Sequence, residues 1–147
     1  MMRWYGILML GALALCACST PGAQSPDLAG TTWRLTSFGD GGAARAPIGT
    51  VPIIMAITRD DAGGFQVGGT SGCNQYAAAL TVDGTSFLAR DVAGTMMACV
   101  EPGIMEQEGA YLTALSAARV VHVEVGELHL IDEAGTTLLV FAPATQP

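Results

Sequence analysis

Apolar and polar residues alternate in short runs along most of the chain, and the period changes once. Thr31 to Phe38 alternates well enough for a strand with Trp33 and Leu35 inward. Val51 to Thr58 is apolar and β-capable, with Pro52 at its start, and Asp60 to Gly64 is a turn. Phe65 to Val67 returns as a strand and feeds a glycine-rich corner, Gly68-Gly69-Thr70-Ser71-Gly72-Cys73-Asn74-Gln75-Tyr76. Ala79 to Val82 and Thr85 to Ala89 flank Asp83-Gly84, a favoured two-residue hairpin turn. Ile104, Met105, Tyr111, Leu112 and Leu115 then fall on one helical face, which predicts a helix from about Pro102 to Ala117. Glu101, Glu106 and Glu108 crowd its start, where the helix dipole favours negative charge. Arg119 to Val125 and Leu128 to Ile131 form a hairpin around Gly126-Glu127, and Thr136 to Ala142 adds a last strand.

The connections are short, so neighbouring strands pair antiparallel. The expected class is α+β: a strand-rich, mostly antiparallel curled sheet or barrel-like meander with one packed helix. The 147 residues suffice for one domain.

The N-terminus changes the picture most. Arg3 precedes Trp4 to Leu15, an apolar run broken only by Gly6 and Gly11. As a helix it would reach about 18 Å, short of a bilayer core of about 30 Å, which suits a signal peptide. It ends Leu15-Cys16-Ala17-Cys18, similar to a bacterial lipoprotein box with Cys18 as the acylated residue. Cys16 fits less well, because bulky Leu15 would precede the cut. Residues 1–17 are therefore read as a leader and residues 18–27 as a lipidated cysteine with a flexible tether. Residues 28–143 form the domain. Ser19, where retained lipoproteins carry Asp, points to the outer membrane, with the domain facing the periplasm.

The net charge is −7, and all six basic residues are scattered arginines. Losing the leader removes Arg3 and no acid, which leaves five basic against thirteen acidic residues and a charge of −8. Nucleic-acid binding lacks its basic stripe. The expected partners are the membrane, through the lipid on Cys18, and an envelope protein. The domain itself is expected to be a monomer.

Four segments in order, L-A-G-T-T-W-R-L, G-C-N-Q-Y, T-M-M-A-C and E-L-H-L-I-D-E-A-G-T-T-L-L-V-F, resemble the META domain. This family includes the heat-shock protein HslJ and many envelope lipoproteins. The likeness covers about Leu28 to Ala142. It implies a fold, an envelope location and links to heat shock and envelope stress, and it brings no catalytic residues. Family members often carry Arg where this chain has Met96, and a basic residue where it has Gln75.

Candidate chemistry is sparse. In an oxidising compartment Cys73 and Cys99 are expected to pair, the alternative being two buried thiols. Such a bridge, closing the loop from residue 73 to 99, stabilises by about 3.5 kcal/mol in the chain-entropy model. If Val125 opposes Leu128 in the last hairpin, Glu124 opposes His129 with His122 diagonal to it. These three could hold zinc, but the polar outer face of a ribbon accounts for them, and no metal or other cofactor is expected. There is no lysine and hence no P-loop, and Gly69-Thr70-Ser71-Gly72 is not a nucleophile elbow, which leaves Ser71 a turn residue. Asp60-Asp61 reads as a solvated turn, and Met96-Met97 as core filling.

The functional expectation is a lipid-anchored, non-catalytic envelope protein with a binding or stress role. The alternatives are a secreted inhibitor or binding module acting through exposed strands, and a small metal-dependent enzyme.

Overall fold

Period-two alternation becomes a sheet that closes on itself. A computed structural model describes residues 27–39 and 43–144. The lipoprotein box, with Cys18, lies outside the described residues. The elements are β1 (Thr31–Phe38), β2 (Ile54–Arg59), β3 (Phe65–Thr70), β4 (Gln75–Asp83), β5 (Ser86–Gly94), α1 (Ile104–Ala117), β6 (Val120–Glu124), β7 (Glu127–Ile131) and β8 (Thr137–Pro143). Each strand pairs antiparallel with its neighbour in sequence, and β8 pairs with β1 to complete a closed barrel.

One strand shows how the pattern becomes geometry. Trp33 and Leu35 point inward, yet Phe38 is also buried, which strict alternation forbids. A bulge against β8 between Leu35 and Ser37 absorbs the extra residue and returns Phe38 to the core. Glycine serves close approach at Gly69. It lies inside β3, paired with Tyr76, at φ 149°, and a Cβ there would collide with the Ile54 carbonyl oxygen. The glycine-rich stretch is therefore strand up to Thr70, and the corner proper begins at Ser71.

The seam between β5 and β6 is the thinnest, with paired register only at Ser86 and Val120. The helix packs against β5 and β8. It starts at Ile104 rather than Pro102, because Gly103 (φ 82°) makes the entry turn. Its buried face is Ile104, Gln107, Glu108, Tyr111 and Leu115, while Met105 is 44% exposed. Tyr111 is fully buried and meets Tyr76 and Phe141 edge-on, with ring centres 5.5 and 6.5 Å away.

Two hairpins differ from the sequence reading. The β4–β5 turn is Gly84-Thr85, since Asp83 pairs with Ser86. The β6–β7 turn is Val125-Gly126, both residues at positive φ (52° and 83°), so Glu124 pairs with Glu127 and His122 with His129. A two-residue turn of this hand matches the strand twist better than one at Gly126-Glu127. The change moves Glu124 two places along the ladder from His129.

Candidate functional site

The corner between β3 and β4 packs onto the first turns of α1, and the polar residues of both are buried together. Ser71, Asn74, Gln107 and Glu108 are all buried. Glu108 sits one turn after Ile104 and one before Tyr111, so the helix aims its carboxylate into the corner. Its Oε2 accepts from the Ser71 hydroxyl at 2.5 Å and the Asn74 backbone N–H at 2.9 Å, and its Oε1 accepts from Asn74 Nδ2 at 2.8 Å. The Asn74 carbonyl lies 2.8 Å from the Ser71 oxygen, but the hydroxyl has one proton, and the shorter, charge-assisted bond to the carboxylate takes it.

Burial pushes the Glu108 carboxyl up, but the bonds from Ser71 and from the Asn74 side chain and backbone outweigh it. The carboxyl ends below its ordinary range and is ionised at neutral pH. The network continues outward. Asn74 Oδ1 accepts from Thr95 Oγ1 at 2.7 Å and from the Met97 N–H at 2.8 Å, which ties the segment after β5 to the corner. Gln107 pairs in both directions with the Ile48 backbone, at 2.7 and 3.0 Å, and fastens the β1–β2 connection to the helix. Among the described residues every buried side-chain nitrogen and oxygen has a partner.

Cys73 and Cys99 form a disulfide, Cα–Cα 6.1 Å, at the rim of this corner. Around it the surface is apolar. Met96 is 98% exposed, Val100 99% and Met97 57%, against the expectation that the methionine pair fills the core. The bonds between the Met97 backbone and the Asn74 side-chain amide, together with the bridge, hold residues 95–99 outside the barrel, so these side chains have no core to enter. Ile48, 51% exposed, joins them, since a side chain on Gly103 would meet its Cδ1 at 3.0 Å.

Two more sequence readings change here. Ser71, read as a turn residue, pairs with Ile53 in an isolated bridge at the edge of the turn, and its hydroxyl is a buried donor. Asn74 links the corner to Glu108, Thr95 and Met97. Glu108 is a buried acceptor more than a partner of the helix dipole. The histidines lie elsewhere, His122 opposite His129 on the β6–β7 ribbon, with His129 Nε2 3.6 Å from Glu127 Oε2. Among the described residues no three of His, Cys, Asp and Glu converge on a metal-sized space. A groove of about 520 Å³ runs beside α1, lined by Phe38, Ala110, Ala114 and Leu138, with Arg45 at its edge.

The META domain family matches residues 26–145. This chain belongs to that family. The chain is similar to a solved structure of a protein from Burkholderia xenovorans, 28% identical, which aligns over 87% of this chain and 97% of that one with a TM-score of 0.68. A DUF4847 family protein from Bacteroides vulgatus shares the fold alone, at 16% identity and a TM-score of 0.50, over 82% of this chain and 97% of that one. Comparison with curated proteins found no match. Within this META domain, the buried Ser71–Asn74–Glu108 network braces the corner, and the exposed methionine-rich rim is what the corner presents.

Proposed function

We propose that this META domain is a lipid-anchored envelope protein that acts by binding, and that its partner docks on the pole around the disulfide. The observation that carries the reading is a set of large, apolar, exposed side chains around the disulfide: the Met97 carbonyl and Met105 Sδ lie 3.6 and 3.9 Å from Cys73 Sγ, Met96 and Val100 flank Met97 and Cys99 along the chain, and Ile48 lies beside Gly103. Surface apolar residues in isolation mean little, but a clustered patch favours an interface, and methionine adapts its shape to a partner. Exposed Glu101 and Glu106 interleave with the patch on a chain of net charge −7. That combination suits a protein segment with an apolar helical face flanked by Lys or Arg. Recognition through side chains fits this barrel better than strand addition, because β8 pairs back onto β1 and few strand edges are free.

Anchoring rests on the sequence ending at Cys18, with residues 19–27 as the tether. A non-catalytic role accords with Glu108, whose two oxygens are committed to three donors of the fold. By family resemblance, the setting would be an envelope under stress.

Two measurements test the reading. Labelled palmitate should enter the wild-type protein and not Cys18→Ser; an unlabelled wild type contradicts the anchor. A synthetic amphipathic helix of leucine and lysine should bind the wild type and a Val123→Ser/Val125→Ser control. It should lose Met96→Ser/Met97→Ser/Val100→Ser. Equal binding by both variants contradicts the docking surface.

A further inference from the structure

Three sulfur atoms meet beside the first turn of α1. Cys73 and Cys99 are bonded to each other, and Met105 Sδ lies 3.9 Å from Cys73 Sγ. The Met97 carbonyl oxygen is 3.6 Å from the same sulfur. Three sulfurs arranged around one ion in a plane, each at about 2.3 Å, stand about 4.0 Å apart. The Cys73–Met105 distance is thus already one edge of such a triangle. Parting the two cysteine sulfurs to a similar distance would complete it, and neither cysteine is packed into the core.

The surroundings suit a charged sulfur at Cys73. Asn74 Nδ2 lies 3.4 Å from its Sγ; the same nitrogen donates to Glu108 Oε1 at 2.8 Å and has the Met97 carbonyl oxygen at 3.2 Å, so one proton fixes the amide and the other is shared between that carbonyl and the sulfur. Met105 is in the first turn of α1, whose positive end favours a thiolate nearby. Access is open, because residues 93–98 are exposed throughout.

We propose that reduction of the Cys73–Cys99 bond turns this corner into a site for a soft monovalent ion, Cu(I) or Ag(I), held by two thiolates and the Met105 thioether. Thiolate and thioether sulfur select such ions over harder ones, and three ligands suit them better than they suit zinc. The redox step needs a dithiol as co-reactant. Two electrons and two protons pass from the dithiol to the S–S bond, giving two protein thiols and the donor's own disulfide. The ion then displaces the two thiol protons to solvent and keeps its +1 charge. This site rests on the sulfur geometry and stands or falls independently of docking at the same pole.

The test uses the full chain in detergent carrying Cys16→Ser and Cys18→Ser, so that Cys73 and Cys99 are its remaining thiols. It is reduced with a dithiol, desalted without oxygen and titrated with Cu(I) against a chromophoric Cu(I) chelator. The reduced chain should retain one equivalent and the oxidised chain none. Met105→Leu, at a position 44% exposed, should keep the fold and weaken retention by about tenfold or more, since even outer-shell changes cost that much. No retention by the reduced chain overturns the proposal, as does unchanged affinity in Met105→Leu. Loss of the β-sheet circular dichroism signal on reduction overturns it too, because the corner would not persist to bind anything.

Discussion

Asn74 and Glu108, 34 residues apart, grip each other twice: the Asn74 backbone N–H reaches one carboxylate oxygen at 2.9 Å and its side-chain amide reaches the other at 2.8 Å. This clasp fixes the β3–β4 corner to the helix with a charged group in a buried place. A buried carboxylate is tolerable only when its oxygens are filled, and here Ser71 supplies the third donor.

The clasp makes stability depend on pH. The folded-state pKa of Glu108 lies below its unfolded value, so the unfolded chain takes up the proton first as pH falls. The contribution is fully present above the usual carboxylate range and is lost as pH drops through the folded-state value. Glu108→Gln sets an amide N–H against donors that are already there, and should cost about 2–3 kcal/mol at pH 7. The gap between wild type and variant in urea unfolding should narrow on acidification below the ordinary glutamate pKa. A gap constant down to strongly acidic pH would show that the charge is not what the corner holds.

Tyr76 and Tyr111 form a second buried pair, with hydroxyls 2.6 Å apart, and the Tyr76 oxygen is 3.3 Å from the Ile54 carbonyl. The carbonyl can only accept, so Tyr76 donates to it and Tyr111 donates to Tyr76. Burial pushes both phenols up, and neither ionises at neutral pH. Tyr76→Phe leaves the fully buried Tyr111 hydroxyl without its acceptor and should cost about 2 kcal/mol, while Tyr111→Phe should cost about 1. Equal losses in thermal unfolding would contradict this assignment of donor and acceptor, and a larger loss in Tyr111→Phe would reverse it.

How much of this was legible beforehand follows from spacing and residue type. The strands and the single helix follow from periodicity, because a half-buried strand must alternate, and short connections give the antiparallel pairing of neighbours; the closing of β8 onto β1 is not written in any local pattern. Glu108 stands at the helical spacing of Ile104, Tyr111 and Leu115, so its position on the buried face was readable. Its charge hid it, since a glutamate near a helix start usually faces water. Ser71 and Asn74 were visible as a corner, but their partner is 34 to 37 residues away, and no local pattern reports that. Met96 and Met97 look like core by hydropathy. They are outside because the bridge at Cys99 and the Asn74 bonds carry the backbone past the barrel.

The Val125-Gly126 turn shows the same limit, and it is correctable. Val125 is 97% exposed with φ 52°, a conformation unfavourable for a β-branched residue. The strand registers on either side impose it. Val125→Asn should relieve that strain and stabilise the domain by about 1 kcal/mol, raising the melting temperature. A lower melting temperature would mean that the valine makes contacts worth more than its backbone costs.

The docking surface is tested most directly by photocrosslinking in living cells, with a photoreactive phenylalanine placed at Val100 or at Val125. Both positions are almost fully exposed, 99% and 97%, so reach and access are matched. The account predicts one discrete adduct from Val100, none from Val125, and a captured protein that presents an apolar helix flanked by Lys or Arg. Adducts of the same size and yield from both positions, or none from Val100, would contradict it.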